Sequence, residues 1–283
     1  MRIVNAAGRL GLLRESGVVD VAEASGGRFS PDPQAAYDVW PDLVEWAGGM
    51  GDDVAARPLV QAELGAPAPW PRQVFAIGLN YLDHAEEAGI DVVPDSLVVF
   101  GKYASAITGA DAEVEVPAGS VDYEAELVVV IGKRAHRVDA TDAWSHVAGL
   151  TVGQDLSERE LQLRPPTPQF SLGKSFPGFA PMGPALVTPD EFADPDDLAI
   201  TCILNGETVQ NSRTKLMIHP IAEIVARLSA TVPLLPGDVV FTGTPAGIGF
   251  AREPRLLLKP GDELVTSIEG IGSIRTRFRA AAH

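Results

Sequence analysis

The segment VDYEAELVVVIG (121–132) sets Glu124 and Glu126 directly before five consecutive apolar residues. On an extended strand side chains alternate in direction, so both acids project from one face. The apolar run buries the far end of that strand and holds the acids together where water is scarce. Two such carboxylates repel each other, and a divalent cation between them turns the repulsion into attraction. Taken alone, the pair is better read as an exposed strand end with solvated acids. A third acid tips the balance, because GLTVGQDLSERE (149–160) reads as a short strand ending at Asp155. Three acids without cysteine or suitably spaced histidine form an oxygen-only donor set, the chemistry of Mg²⁺ or Mn²⁺.

A second constellation lies in FAIGLNYLDHAEEAGI (75–90), where His84 and Glu87 stand three residues apart. On a helical turn that spacing puts both on one face. A carboxylate beside an imidazole orients the ring and raises its basicity, which suits general-base work. In isolation, the same pattern is an ordinary surface helix with an incidental histidine. Lys102 follows the strand-like SLVVF (96–100), and Lys174 sits in FSLGKSFPGFAPMGP (170–184), otherwise apolar and turn-forming. Each lysine either snorkels to the surface or meets an anionic substrate and its developing oxyanion. The glycine-rich TGTPAGIGF (242–250) lacks the Lys-Ser/Thr pair of a phosphate loop and opens no helix, so nucleotide binding of that kind is rejected. His136, His146 and His219 are read as structural. The single cysteine, Cys202, reads as a small buried strand residue and excludes an intrachain disulfide.

The elements that must position these residues are short. Glycine (28) and proline (23) are frequent among the 283 residues, which predicts many turns and short strands rather than a helical bundle. The runs VFAIG, SLVVF, ELVVVIG, GLTVG, LAITCIL, DVVFTG, DELVTSIEG and SIRTRF predict a mostly antiparallel β core. One amphipathic helix is predicted over 217–232, with Ile221, Ile224, Val225 and Leu228 on one face. Residues 1–66 read as a small separate unit with a helical stretch at 33–49. Residues 63–73 read as a proline-rich linker, and 67–283 as the main domain. Lysine and arginine total 22 against 38 aspartate and glutamate, a net charge of −16. Without a basic run, that balance argues against nucleic acid. The longest apolar run, Leu127–Ile131, is far too short for a membrane span, and the N-terminus lacks a signal-peptide core. The expected location is the cytoplasm.

Six stretches, in order, resemble the fumarylacetoacetate hydrolase family: GLNYLDHAEE (78–87), DYEAELVVVIG (122–132), GQDLSERE (153–160), LGKSFPGFAPMGP (172–184), LNGETVQNSRTKLMI (204–218) and LLPGDVVFTGTPAGIG (234–249). The resemblance covers about residues 70–278. It implies an α+β, mostly β fold of mixed sheets rolled into a barrel-like sandwich, with a small N-terminal α/β appendage, usually as a homodimer. It implies one Mg²⁺ or Mn²⁺ held by Glu124, Glu126 and Asp155, a His84–Glu87 dyad on a lid helix, and Lys174 beside the metal. Lys102, Gln210 and Thr244 fall where the family contacts substrate or lines its pocket.

The implied activity is metal-dependent cleavage of a C–C bond in a small anionic 2,4-diketo acid, releasing pyruvate. SERE (157–160), TPDEFADPDDL (188–198) and IEGIG (268–272) resemble the bacterial branch acting on acylpyruvates and diketo sugar acids. Leu79 departs from the arginine of many acylpyruvate hydrolases, which bears on the substrate rather than the metal. The alternatives on this scaffold are an oxaloacetate decarboxylase, a 2-hydroxyhepta-2,4-diene-1,7-dioate isomerase, or a non-catalytic 2-oxo-acid binder.

Overall fold

The computed structural model describes residues 1–51, 54–87, 89 and 95–281. Each of the eight apolar runs is a strand. The fold is mostly β, built on two mixed sheets. In the larger sheet the strands lie side by side in the order Gly17–Asp20, Arg9–Arg14, Arg2–Ala6, Ala180–Val187, Val147–Gln154, Ala125–Ile131, Val239–Phe241, Val74–Gly78 and Val98–Gly101. The second sheet runs Glu207–Arg213, Ala199–Leu204, Glu263–Ile268, Gly272–Ala280 and Asp111–Val116. Most pairs are antiparallel, as the short strands predict. Two longer pairs are parallel: Val239–Phe241 with Val74–Gly78, and Gly272–Ala280 with Asp111–Val116.

The burial patterns explain the layering. Ala125–Ile131 and Val147–Gln154 are buried at every residue, so both faces of the larger sheet are covered at its centre. Ala199–Leu204 and Glu263–Ile268 alternate half-buried with buried, the signature of a sheet with one face on a core. Ile200, Cys202, Leu204, Leu264 and Ile268 thus turn toward the larger sheet's core cluster.

Strand pairing crosses the boundary expected near residue 66. Arg2–Ala6 pairs with Ala180–Val187, Ile3 lying opposite Leu186. Ile3, Val4, Leu10 and Leu12 join the common hydrophobic core. A three-stranded piece alone would leave an unpaired apolar edge at Arg2–Ala6, and Ala180–Val187 covers it. The proline-rich 63–73 stretch is likewise pinned: Leu64–Gly65 bridges to Asn5 and Ala6, and the Asn5 amide donates to the Ala66 carbonyl at 2.9 Å.

Prolines shorten both predicted helices. The 33–49 stretch divides into a tight 3₁₀ turn, Gln34–Val39, and a helix, Trp40–Gly48, because Pro41 is accommodated only in a first turn. The 217–232 helix is Ile221–Thr231, starting after Pro220. The Asn80 side chain takes up the His219 backbone instead, accepting its N–H at 2.9 Å and donating to its C=O at 3.0 Å.

Candidate metal centre and cleft

The ladder between Ala125–Ile131 and Val147–Gln154 assembles the acids. Ala125 lies opposite Gln154 and Glu126 opposite Gly153, while the Asp155 N–H donates to the Glu124 carbonyl at 2.9 Å. Asp155 therefore leaves its strand beside the two glutamates, and one carboxylate oxygen from each of Glu124, Glu126 and Asp155 lies within 4.8 Å of the others. All three are buried. Gly153 makes this register possible, since a Cβ there would come 2.4 Å from Val128 and 2.8 Å from Phe241.

Three cations face the cluster. The Lys174 ammonium donates to Glu124 Oε2 and Asp155 Oδ2, both at 2.7 Å. The Lys102 ammonium donates to Asp155 Oδ1 and the Lys174 carbonyl. The Arg159 guanidinium grips Asp122 Oδ2 through Nε at 3.0 Å and Nη2 at 2.6 Å, and Nη2 also lies 2.7 Å from Glu124 Oε1. Burial alone would raise the Glu124 carboxyl, but Lys174 and Arg159 hold it well below the usual carboxylate range. Glu126 goes the other way. Burial, then repulsion from Asp155 and Glu124, pushes its carboxyl well above that range. Among the described residues no lysine or arginine pairs with it, and it accepts one backbone N–H, from Gly243 at 2.8 Å. A buried, unpaired carboxylate among two others is a donor set short of positive charge, which is what a bound divalent cation supplies.

Across the cleft, the helix Leu82–Glu87 carries the second constellation. His84 Nδ1 lies 2.9 Å from Glu87 Oε1, and Glu87 Oε2 accepts the Gly247 N–H at 2.9 Å. One carboxylate thus holds both the ring and the loop 242–250. Gly247 is required there: its φ is +107°, and a Cβ would sit 2.3 Å from the Val209 carbonyl.

The cleft between these groups has a volume of about 420 Å³. Its floor is polar, with His84, Glu124, Glu126, Arg159, Lys174 and Thr244; its outer wall is apolar, with Leu79, Phe100, Leu163, Phe170, Ile248 and Phe250. Six of the nine sequence-derived candidates, His84, Glu87, Glu124, Glu126, Lys174 and Thr244, line this cleft, and Asp155 completes the triad beneath it. Lys102 stands behind Asp155 rather than on the cleft surface. Gln210 is also buried behind the wall, its amide engaged with Ala125, Thr244 and Pro245.

Arg159, Gln162 and Asp122 escaped the sequence reading. The Asp122 carboxylate accepts the N–H groups of Gly249 and Phe250 at 2.8 and 3.1 Å, so it anchors the loop and Arg159 at once. Gln162 accepts from Arg159 Nη1 at 3.0 Å. The signal available was charge balance: buried acids at 122–126 require cations, and SERE supplies one four residues after Asp155.

Comparison with known proteins agrees with this architecture. Residues 73–279 match the family model described as fumarylacetoacetate (FAA) hydrolase C-terminal. The chain is 47% identical over 211 residues to the human mitochondrial oxaloacetate tautomerase FAHD2B, covering 74% of this chain and 67% of that protein. A solved Mycobacterium smegmatis structure assigned to HpcE is 53% identical, with both chains fully covered and a TM-score of 0.94. The maleylpyruvate hydrolase of Sphingobium sp. SYK-6, solved with manganese(II) and pyruvate, is 26% identical over the whole of both chains with a TM-score of 0.83.

Proposed function

Because this chain belongs to the fumarylacetoacetate hydrolase family, we propose that it is a divalent-cation-dependent enzyme acting on a small 2-oxo acid. We assign its reaction to proton transfer at the carbon next to the 2-oxo group, the keto–enol tautomerisation of an oxaloacetate-like acid. The observation that carries this reading is the His84–Glu87 pair facing a buried oxygen triad across one small cleft. The tautomerase name of the relative at 47% identity turns it from the diketo sugar-acid branch toward oxaloacetate.

Glu124, Glu126 and Asp155 fit Mg²⁺ or Mn²⁺, being three buried oxygen donors with an unpaired glutamate among them. When bound, such a cation supplies Lewis-acid polarisation of the substrate's carboxylate and 2-oxo oxygens. The chain's own groups do the rest. Glu87 holds the Nδ1 side of the His84 ring, which leaves Nε2 as the basic atom. In this reading Nε2 takes the proton from carbon 3, the C–H electron pair becomes the double bond between carbons 2 and 3, the carbonyl π pair moves to the 2-oxygen, and a proton is returned there. Lys174 and Arg159 lie close enough to the triad to balance the charge that collects on that oxygen. The apolar wall keeps water from the cleft and so strengthens these interactions.

The same pair would serve a hydrolase by activating water. The manganese- and pyruvate-bound maleylpyruvate hydrolase supports that second reading. Both readings take the molecule as a homodimer, checked by light scattering.

The test follows the decay of the oxaloacetate enol and the release of pyruvate from acylpyruvates, with Mg²⁺, Mn²⁺ or chelator. The tautomerase reading expects metal-dependent enol decay that His84→Ala slows by about 10²- to 10⁴-fold. No acceleration of enol decay, together with metal-dependent pyruvate release, moves the assignment to the hydrolase.

A further inference from the structure

The two glutamates flank Ala125, and the backbone around them departs from an ordinary ladder. Val239–Phe241 pairs with Val128–Val130, and its last bonds run from Thr242 to the Leu127 carbonyl. Beyond that point the neighbouring chain leaves as the glycine-rich loop, so Ala125 has no strand on that side. Side chains take its place. Gln210 Oε1 accepts the Ala125 N–H at 2.9 Å, and Thr244 Oγ1 donates to the Ala125 carbonyl at 2.9 Å. Gln210 Nε2 then donates to Thr244 Oγ1 at 2.8 Å and to the Pro245 carbonyl at 2.9 Å, closing a ring of hydrogen bonds.

A second amide mirrors the first. Gln154 Oε1 accepts the Glu124 N–H at 2.9 Å, while its Nε2 donates to Thr266 Oγ1 at 2.7 Å and approaches Cys202 Sγ at 3.4 Å. Gln210, Cys202 and Thr266 are lateral neighbours on three adjacent strands of the second sheet, Cys202 pairing with Gln210 on one side and Thr266 on the other. An irregularity in the register begins directly after Cys202, the kind of feature that re-aims side chains. Gln154, Gln210, Cys202 and Thr266 are all buried.

We infer that this cross-strand row is a clamp: Gln154 and Gln210 are positioning residues that fix the backbone of Glu124, Ala125 and Glu126, so that the repelling carboxylates stay at metal-binding separation. The amide orientation is unique, because each oxygen faces an N–H and each nitrogen faces a hydroxyl, carbonyl or sulfur acceptor. Removing such an outer partner weakens metal affinity or activity by about 10- to 100-fold in metalloproteins generally. The inference rests on the metal-dependent reading above, and its readout is metal affinity rather than turnover.

The experiment titrates Mn²⁺ alone into the full chain by calorimetry, alongside thermal unfolding in chelator. Gln210→Leu and Gln210→Glu are expected to bind Mn²⁺ about 10- to 100-fold more weakly while unfolding close to the parent in chelator. The glutamate keeps the shape of glutamine, but its second oxygen faces the Thr244 hydroxyl oxygen and the Pro245 carbonyl. Thr266→Val removes the far anchor of Gln154 without touching a ligand segment; it is expected to lose severalfold in affinity, and Thr266→Ser to recover it. Parent-like affinity in a folded Gln210→Leu overturns the clamp. If that variant fails to fold, parent-like affinity in Thr266→Val overturns it. A parent that binds no Mn²⁺ overturns the metal reading beneath it, whereas tight Mn²⁺ binding without tautomerisation removes only the assigned reaction.

Discussion

At the residue scale, environment decides which groups react. Glu87 joins His84 to Gly247, so Glu87→Gln should lower turnover by about 10²-fold or more while leaving Mn²⁺ affinity unchanged, a split read by kinetics and calorimetry together. Cys202 makes the opposite case. Burial pushes its thiol up to about 12, so iodoacetamide near pH 8 should leave the folded chain unlabelled and label the single thiol only in denaturant. Labelling of the native chain would show that the second sheet opens at that row. Glu124 and Glu126 were legible as a pair, because alternation along a strand is a local property; Asp155 was legible by its donor chemistry, while its meeting with the pair depends on the ladder. Arg159 was not, since its partners Asp122 and Glu124 lie 37 and 35 positions away in the chain and pair only after the ladder has formed. Gln210 was found for its place in a motif, and only the packed sheets give its amide the partners described.

At the scale of elements, turns and caps control geometry. Gly247→Ala would force a Cβ to within 2.3 Å of the Val209 carbonyl at a φ of +107°. It should cost about 1–3 kcal/mol in chemical denaturation and reduce activity by displacing the N–H that Glu87 accepts. In the hairpin of Arg9–Arg14 with Gly17–Asp20, Asp20 pairs with Arg9 and caps the turn Val21–Ala24, accepting the Glu23 N–H at 3.0 Å. The hydrogen bond from Arg9, against the opposing effect of burial, lowers the Asp20 carboxyl below its ordinary value. Its contribution is therefore present above the unfolded value near 3.9 and is lost as pH falls through the lower folded value. Asp20→Asn should flatten that part of the stability–pH curve, and Asp20→Ala should cost about 1 kcal/mol above pH 5. The strands were readable from their apolar runs, whereas helix ends moved with Pro41 and Pro220, and a proline's effect depends on which side of a cap it falls.

Across the whole molecule, the sheet that runs from Gly17–Asp20 to Val98–Gly101 makes the first 66 residues structurally continuous with the rest. Deleting residues 1–66 would uncover the edge of Ala180–Val187 and the core contacts of Ile3, Leu10 and Leu12. The truncated chain should aggregate, and the full chain should melt in one transition by calorimetry. Two transitions would show instead that the N-terminal segment folds on its own. The sequence could not reveal this continuity, because the partners Ile3 and Leu186, 183 positions apart, leave no local pattern. Saturating Mn²⁺ at about 100 times its dissociation constant should add about 2.7 kcal/mol to the stability of the full chain.

The Glu87 carboxylate has a consequence for timing. Its two oxygens serve the imidazole and the Gly247 amide simultaneously, so any excursion of the helix Leu82–Glu87 away from that loop also unseats the ring's support. On the proposed reaction the arrangement would work as an interlock, with proton abstraction armed only while Glu87 holds the ring and the loop together. Hydrogen–deuterium exchange at carbon 3 of a bound 2-oxo acid checks this: washout should proceed in the parent and slow in Gly247→Ala, and equal rates in the two would overturn the interlock.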